Sequence, residues 1–503
     1  MAEGKPQTQR FTSRIGLLLS VLGIAVGTGN IWRFPRIVAQ NSGPDGAGAF
    51  LVAWVIFLFT WSIPLIIVEY AMGKRARQGV VGAFAQIAGE RMAWMGAFVG
   101  FVSTAIMFYY AVVTGWCFFY FVEALTQPLP QSTQGATLIW NSFQAGSWPI
   151  LFLVISHGLA AWVLWKGVSS IERVSLVLMP LLFGIILLAT LRAVTLPGAG
   201  DGLSFLFTPD WNMLARPRVW LEALTQNAWD TGAGWGLILT YAAYMRRDQG
   251  TVKNAFITGI GNNTVSMLAA VIVFGTVFAT LGRHMPGADV LDVMKTSGPA
   301  STGLTFIWLP QLFAQMPLGR TLAVLFFLGL SFAAFTSLVS MIELATRVLV
   351  DWGVARHRAL VLVVCAGFVF GIPSAINLTF LGNQDFVWGI GLMVSGLLFA
   401  IAVRKFGIDR FRGEAVNGVP GDWRVGRAWG WLIGALVPLE AVCLLLWWFY
   451  LSITSYAPHS WYNPIDPYSV ATCLVQWGIV LAAFIAANKW MVRRTLAVPE
   501  LEA

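Results

Sequence analysis

Apolar stretches long enough to cross a bilayer, about 20 residues each, recur about twelve times along this chain. They lie near residues 15–40, 48–72, 93–125, 148–166, 171–195, 217–244, 252–282, 320–350, 358–376, 384–403, 430–453 and 471–492. No other feature constrains the fold as strongly. In hydrocarbon every backbone N–H and C=O must find its partner inside the protein, so runs of this length specify helices. Composition agrees: 57% of residues are hydrophobic and 11% charged, and mean hydropathy is +0.72, beyond the range of water-soluble domains. The expected fold is an all-α integral membrane protein of about twelve transmembrane helices.

Lys and Arg set the orientation, because loops rich in them resist translocation. With the N-terminus inside, the cytoplasmic segments collect Lys5, Arg10 and Arg14; Lys74, Arg75, Arg77 and Arg91; Lys166 and Arg173; and Arg246, Arg247 and Lys253. They go on to collect Arg347, Arg356 and Arg358; Arg404, Lys405, Arg410, Arg412, Arg424 and Arg427; and Lys489, Arg493 and Arg494. These are 24 of the 32 basic residues, so both termini are expected in the cytoplasm. The net charge of +9 is then a topology signal and requires no nucleic-acid partner. Cys117, Cys365, Cys443 and Cys473 fall in apolar runs without CxxC spacing, which suggests neither disulfides nor zinc. His157, His284, His357 and His459 are scattered and no nucleophile motif accompanies them, so an enzyme is not expected. The charged start leads into a first span too long and too polar in its middle for a cleavable signal peptide.

That first span carries the most informative stretch, GIAVGTGNIWRFP from Gly23 to Pro35. As a membrane helix it is poorly written, with three glycines, an asparagine, an arginine and a proline. A second interruption, DTGAGWG from Asp230 to Gly236, falls in the sixth span. Broken helices survive in hydrocarbon only where protein or a water-filled cavity surrounds them. Breaks at positions one and six suggest a five-plus-five inverted repeat, 15–195 and 217–403, with the site at the midplane between the halves. Helices over 430–492 follow, and 1–14 and 493–503 are cytoplasmic segments. Gly23 and Gly27 also form a small-xxx-small pair that serves helix packing, and Thr336 and Ser337 in span eight can bond back to their own helix. Each of these readings stands beside the functional one.

In this order along the chain, GIAVGTGNIWRFP, EYAMG in span two, Tyr109–Tyr110, QNAWDTGAGWG, RRDQ followed by Asn262, FAAFTS in span eight and QDF in span ten resemble the neurotransmitter:sodium symporters. The resemblance covers spans one to ten. It implies a secondary active, sodium-coupled symporter working by alternating access, with two sodium sites. One site would use the carbonyls of Gly23, Val26 and Ala333 and the hydroxyls of Thr336 and Ser337. The other would use Ala25, Asn30, Asn262, residue 230 and the carboxylate of the substrate itself. That carboxylate would lie against Ala25, Gly27, Thr28 and Gly29, where half-helix N-termini favour an anion, and would meet the Tyr110 hydroxyl. Monoamine carriers of the family have aspartate at the position of Gly27, so Gly27 favours an amino acid. Ile106, Trp229, Gly232, Trp235, Ser337 and Met341 would line the side-chain end, and their character favours a neutral, hydrophobic substrate. The two tryptophans allow either a pocket reshaped for large substrates or a filled one.

The resemblance also implies gates. Arg33 and Asp385 match the family's outer ionic pair, the aromatic lid maps to Trp229, and Asp351 matches the acidic partner of the inner gate. The arginine usual at the position of Thr8 is missing, which leaves Arg10 or Lys5 to serve. Glu69 matches a buried glutamate that holds unwound backbone.

At position 230 the chain departs from its family, which expects threonine between the first sodium and an anion site that here comprises Gln226, residue 230 and Ser266. Chloride-dependent members fill that site with chloride; chloride-independent ones place a carboxylate on span seven, at the position of Ser266. Asp230 puts a carboxylate nearly there from the neighbouring helix. An uncompensated carboxylate in hydrocarbon costs several kcal/mol, and sodium beside it favours the ionised form. Asp230 is therefore expected to be the resident anion and a sodium ligand, making chloride unnecessary and linking a proton to the return of the empty carrier. Asp230 can equally cap the second half of the broken helix. Other organic solutes, such as a betaine or a β- or γ-amino acid, stay open as substrates, and a channel or a non-transporting receptor is the reading from another class. Short loops suggest a prokaryotic plasma membrane.

Overall fold

The computed structural model describes residues 10–282, 287–295 and 303–497. Lys5, Thr8 and His284, weighed above, lie outside these residues, as does the end of the tail from 498 on. Among the described residues every regular element is helical, and nine helices are long and apolar enough to cross a membrane. Two bent pairs raise the number to eleven: Arg14–Ala25 with Gly29–Gln40 at 52°, and Thr133–Ala145 with Trp148–Leu164 at 74°. The sixth expected span completes the set. Its pieces, Pro217–Asp230 and Leu237–Ala242, are each too short to cross alone.

The two breaks have different local causes. In span one the helix ends at Ala25, Val26 turns extended (φ −78°, ψ 94°), and a π-helical turn, Gly29–Arg33, resumes the span. In span six Gly232, Gly234 and Gly236 take left-handed φ values of +70°, +85° and +78°, a region that other residues enter only at a cost. The amides this frees cannot reach water. Glu69 of span two (Gly48–Ala76) accepts from Gly234 N at 2.7 Å and Leu239 N at 3.0 Å, so one buried carboxylate satisfies both.

Span three (Glu90–Thr126), seven (Val252–Leu281), eight (Gly319–Asp351) and ten (Leu378–Phe406) are the most enclosed of the later helices, whereas span eleven (Arg427–Tyr456) and twelve (Val470–Leu496) are mostly uncovered. The exposed faces of the outer helices carry residues such as Leu187, Leu439, Leu446 and Ile479, which suits contact with lipid. Span three packs along span eight, and span one lies against spans five (Val168–Val194) and seven. Both breaks thus face one another inside the bundle.

Span ten begins earlier than hydropathy indicates, at Leu378 rather than near 384. The Asn377 side chain caps it, accepting from Thr379 N and Phe380 N at 2.9 and 3.0 Å. Its polar opening residues also bond within the fold: Asn383 donates to Pro467 O at 2.7 Å, and Gln384 accepts from Trp388 Nε1 at 2.9 Å. Satisfied polar groups do not break a helix.

Candidate functional site

Around position 230 the two breaks and span seven bring oxygens together. Asn30 turns its side chain back to accept from Gly27 N at 2.8 Å, which commits its Nδ2 to donating to Asn262 Oδ1 and Ser266 Oγ, both at 2.8 Å. Asn262 Oδ1 then stands 2.9 Å from Ala25 O and 3.0 Å from Asp230 O with no hydrogen between them. Turning the Asn262 amide over relieves those contacts but sets its Nδ2 against Asn30 Nδ2 at 2.8 Å. Neither orientation is satisfied by protein groups alone. A small cation among the three oxygens would resolve the conflict, and the donor set, all oxygen, fits a hard cation.

The Asp230 carboxylate flanks this cluster. It is 4% exposed; Oδ2 accepts from Gln226 Nε2 at 3.1 Å and Ser266 Oγ at 3.2 Å, while Oδ1 has no partner among the described residues. A buried carboxylate oxygen without a donor needs an explanation, and a nearby cation supplies one. Asp230 ends the helix Pro217–Asp230 rather than opening the next. The N-cap reading of Asp230 is therefore corrected: the three glycines separate it from Leu237, where the second half begins.

A second group of oxygens lies between spans one and eight. Ser337 Oγ is 3.4 Å from Gly23 O, 3.3 Å from Ile24 O and 3.2 Å from Ala333 O, and Thr336 Oγ1 is 3.2 Å from Ala333 O. Both hydroxyls also back-bond within span eight, so the bland and the functional readings coexist in one geometry. Val26 is buried at the end of the first half-helix, its N–H bonded to Leu22 O at 2.7 Å. A Cβ on Gly23 would come within 3.1 Å of Thr336 Cβ, so glycine is what permits this approach.

Between the two oxygen groups, Tyr110 Oη accepts from Thr28 N and Thr28 Oγ1, both at 3.3 Å. A Cβ on Gly27 would stand 3.1 Å from Ser337 Oγ and 3.2 Å from Tyr110 Oη; a larger side chain there would occupy the space beside the tyrosine. Gly29 lies next to Asp230, 3.8 Å from its Cβ on the same construction. Ile106, Trp235 and Met341 are buried and Trp229 is half-buried. The two indoles meet edge to face at 6.1 Å, and Trp235 Nε1 donates to Ala228 O at 3.2 Å. Gly232 adjoins Ile24 and Ala25 rather than a wall of side chains, and its left-handed φ is the stronger requirement for glycine.

Both gates differ from expectation. Arg33 stacks on the Trp229 ring, Cζ 4.9 Å from its centroid, and is not among the ion pairs of the described residues, while Asp385 is exposed and within electrostatic reach of Arg33, Arg36 and Tyr109. The outer pair is therefore apart in this structure. Asp351 pairs with Arg347 at 2.8 Å, four residues earlier on the same helix, and accepts from Gly79 N at 2.5 Å. Arg10 instead stands near Arg77, whose guanidinium is held below its usual value by partial burial, then by Arg10 and Arg247. A helix whose own arginine lies one turn away needs no partner from the N-terminal segment, and the i,i+4 spacing made this legible.

What the sequence did not reveal is the fastening of that segment. Glu172 of span five, buried, accepts from Thr12 N (2.8 Å), Thr12 Oγ1 (2.9 Å), Ser13 N (3.0 Å) and Ser13 Oγ (2.9 Å). Phe11 N donates to Tyr244 O at 3.2 Å, beyond the second break. A glutamate at the opening of an apolar run, beside Arg173, was the available signal. Nearby, Glu343 holds Arg356 at 2.7 Å and accepts from Tyr244 Oη at 2.7 Å.

A family model described as the sodium:neurotransmitter symporter family matches residues 8–147 and 141–498. The chain is 31% identical over 454 residues to an uncharacterised sodium-dependent transporter of Methanocaldococcus jannaschii, covering 86% of this chain and 89% of that one. It is 29% identical over 471 residues to the sodium-dependent transporter YhdH of Bacillus subtilis, covering 89% and 98%. Among solved structures it is similar to MhsT in complex with L-phenylalanine, with TM-score 0.75, 26% identity, and coverage of 87% of this chain and 99% of that one.

Proposed function

Given that this chain belongs to the sodium:neurotransmitter symporter family, a family of membrane transporters rather than enzymes, we propose that it carries a neutral, hydrophobic α-amino acid with sodium and does not require chloride. Transport proceeds by alternating access across a prokaryotic plasma membrane, with both termini cytoplasmic. The observation that carries this reading is the convergence of Ala25 O, Asp230 O and Asn262 Oδ1 beside Asp230 Oδ1, which has no hydrogen-bond partner among the described residues. Sodium is cargo here.

The first sodium lies among those oxygens and Asn30; the second lies among Gly23, Val26, Ala333, Thr336 and Ser337. The substrate's carboxylate rests on the backbone of Ala25 to Gly29, reaches Tyr110, and completes the first ion's shell. Ion and substrate therefore raise each other's affinity by the same factor. Asp230, held by Gln226 and Ser266, supplies the negative charge that chloride supplies in other members. The halves 15–195 and 217–403 move against each other about this fixed site. MhsT, a neighbour in fold, was solved with L-phenylalanine, and the buried apolar residues Ile106, Trp235 and Met341 support a similar class of substrate here.

The test is uptake of each of the twenty amino acids into liposomes holding the purified protein. An inward sodium gradient is compared with potassium, and chloride with gluconate. Saturable, sodium-driven uptake of apolar amino acids in gluconate is expected. Silence from all twenty overturns the substrate class; a chloride requirement overturns the role of Asp230; sodium current without saturable flux would make the protein a channel.

A further inference from the structure

Span ten presents Asp385 and, one turn along the same face, Gly389. A Cβ on Gly389 would fall 2.0 Å from Trp229 Cζ2, 2.7 Å from Cη2 and 3.1 Å from Cε2. No real side chain fits there while the indole stays: the benzo ring of Trp229 fills the notch that the glycine leaves. Two further contacts fix the indole: Arg33 covers one face at 4.9 Å and Trp235 meets it edge to face at 6.1 Å. The next residue in the chain is Asp230 of the ion cluster. The ring that the resemblance assigns as the lid over the substrate is thus seated against span ten, beneath an outer ion pair that is apart.

We propose that Gly389 is a positioning residue for substrate size: its notch in span ten houses the benzo ring of Trp229, and the depth of that seat sets how large a substrate side chain the pocket admits. A ring displaced from the notch has only the pocket or the vestibule to move into. A ring left deep in it clears the space next to Trp235 for a bulky substrate.

This inference rests on the amino acid reading above, and the experiment separates the two. Sodium-driven uptake of alanine, leucine and phenylalanine is measured for the unmodified protein, Gly389→Ala, Trp229→Phe and the double variant. Gly389→Ala is expected to raise KM for phenylalanine by about tenfold or more, the scale of one misplaced methyl in an apolar pocket, with alanine affected least. Trp229→Phe removes the ring atoms that collide, so the double variant should regain the size preference of Trp229→Phe alone. Equal losses for all three substrates without rescue would make Gly389 a mere packing position and overturn the proposal, as would an unchanged size preference. If Gly389→Ala does not fold, as judged by gel filtration, Trp229→Phe alone must shift preference toward larger substrates. Failure of that shift also overturns it. Absence of uptake in the unmodified protein would instead refute the amino acid reading.

Discussion

Replacing Asp230 by Asn removes the carboxylate's charge while keeping its shape. The side-chain oxygen can still accept from Gln226 and Ser266, so packing is preserved. The carboxylate and one carbonyl of the ion cluster belong to the same residue, so charge and sodium are near neighbours, at a separation on the order of 4 Å. At that distance and an effective dielectric of about 20 the attraction is about 4 kcal/mol, and burial keeps salt from screening much of it. At about 1.4 kcal/mol per tenfold, Asp230→Asn should weaken sodium binding by two to three orders of magnitude. The assay is the sodium concentration giving half-maximal uptake, measured in chloride and in gluconate. Asp230→Thr restores the family residue and opens room beside Gln226 and Ser266, so chloride should recover part of the loss in that variant. Two results would refute the reasoning: unmodified protein that already needs chloride, or an Asp230→Asn protein that transports normally with less than a threefold change in sodium dependence.

Arg347→Ala leaves Asp351 buried without its ion-pair partner and should cost about 3–5 kcal/mol, read as a lower apparent Tm in detergent; an unchanged Tm would show that the pair does not hold this end of span eight. Glu69→Ala strands the amides of Gly234 and Leu239, at about 1–3 kcal/mol each, and should abolish sodium-dependent thermal stabilisation or folding outright. Glu69→Gln, keeping one acceptor oxygen, should fall between. Glu172→Ala removes all four hydrogen bonds holding Thr12 and Ser13 and should speed tryptic cleavage after Arg10 and Arg14 in otherwise folded protein; unchanged cleavage would show that Phe11 and the first span fasten the segment without it.

Helix number and most boundaries were legible because hydrocarbon leaves the backbone no alternative. Span seven appears as Val252–Leu281, and the α-helical part of span three, after its opening turn at Glu90–Met92, as Ala93–Thr126, within a residue or so of where the apolar runs put them. Span ten was misjudged at its start because hydropathy counts Asn383, just before the expected run, as a cost, and it cannot see the carbonyl of Pro467 that accepts from this side chain or the Asn377 cap that opens the helix. The gates were less legible still. A charge within the membrane announces that it needs a partner; that Arg33 found an aromatic face turned on which groups lay nearest in three dimensions, whereas the pairing of Asp351 with Arg347 was open to view in their i,i+4 spacing.

By itself, then, the sequence determined that this chain crosses a membrane many times and that its first and sixth helices must come apart, leaving backbone and side-chain oxygens free at the breaks. Those properties are local: periodicity, glycine's conformational freedom and the intolerance of hydrocarbon for unpaired amides act within a few residues. Tertiary structure alone decided that Asn30, Asn262 and Ser266 interlock around Asp230, that one Asp230 oxygen finds no donor among the described residues, and that Gly389, more than a hundred residues from Trp229, makes room for its ring. Contacts between residues so far apart in the chain depend on how whole helices pack, and no short stretch of sequence encodes that distance.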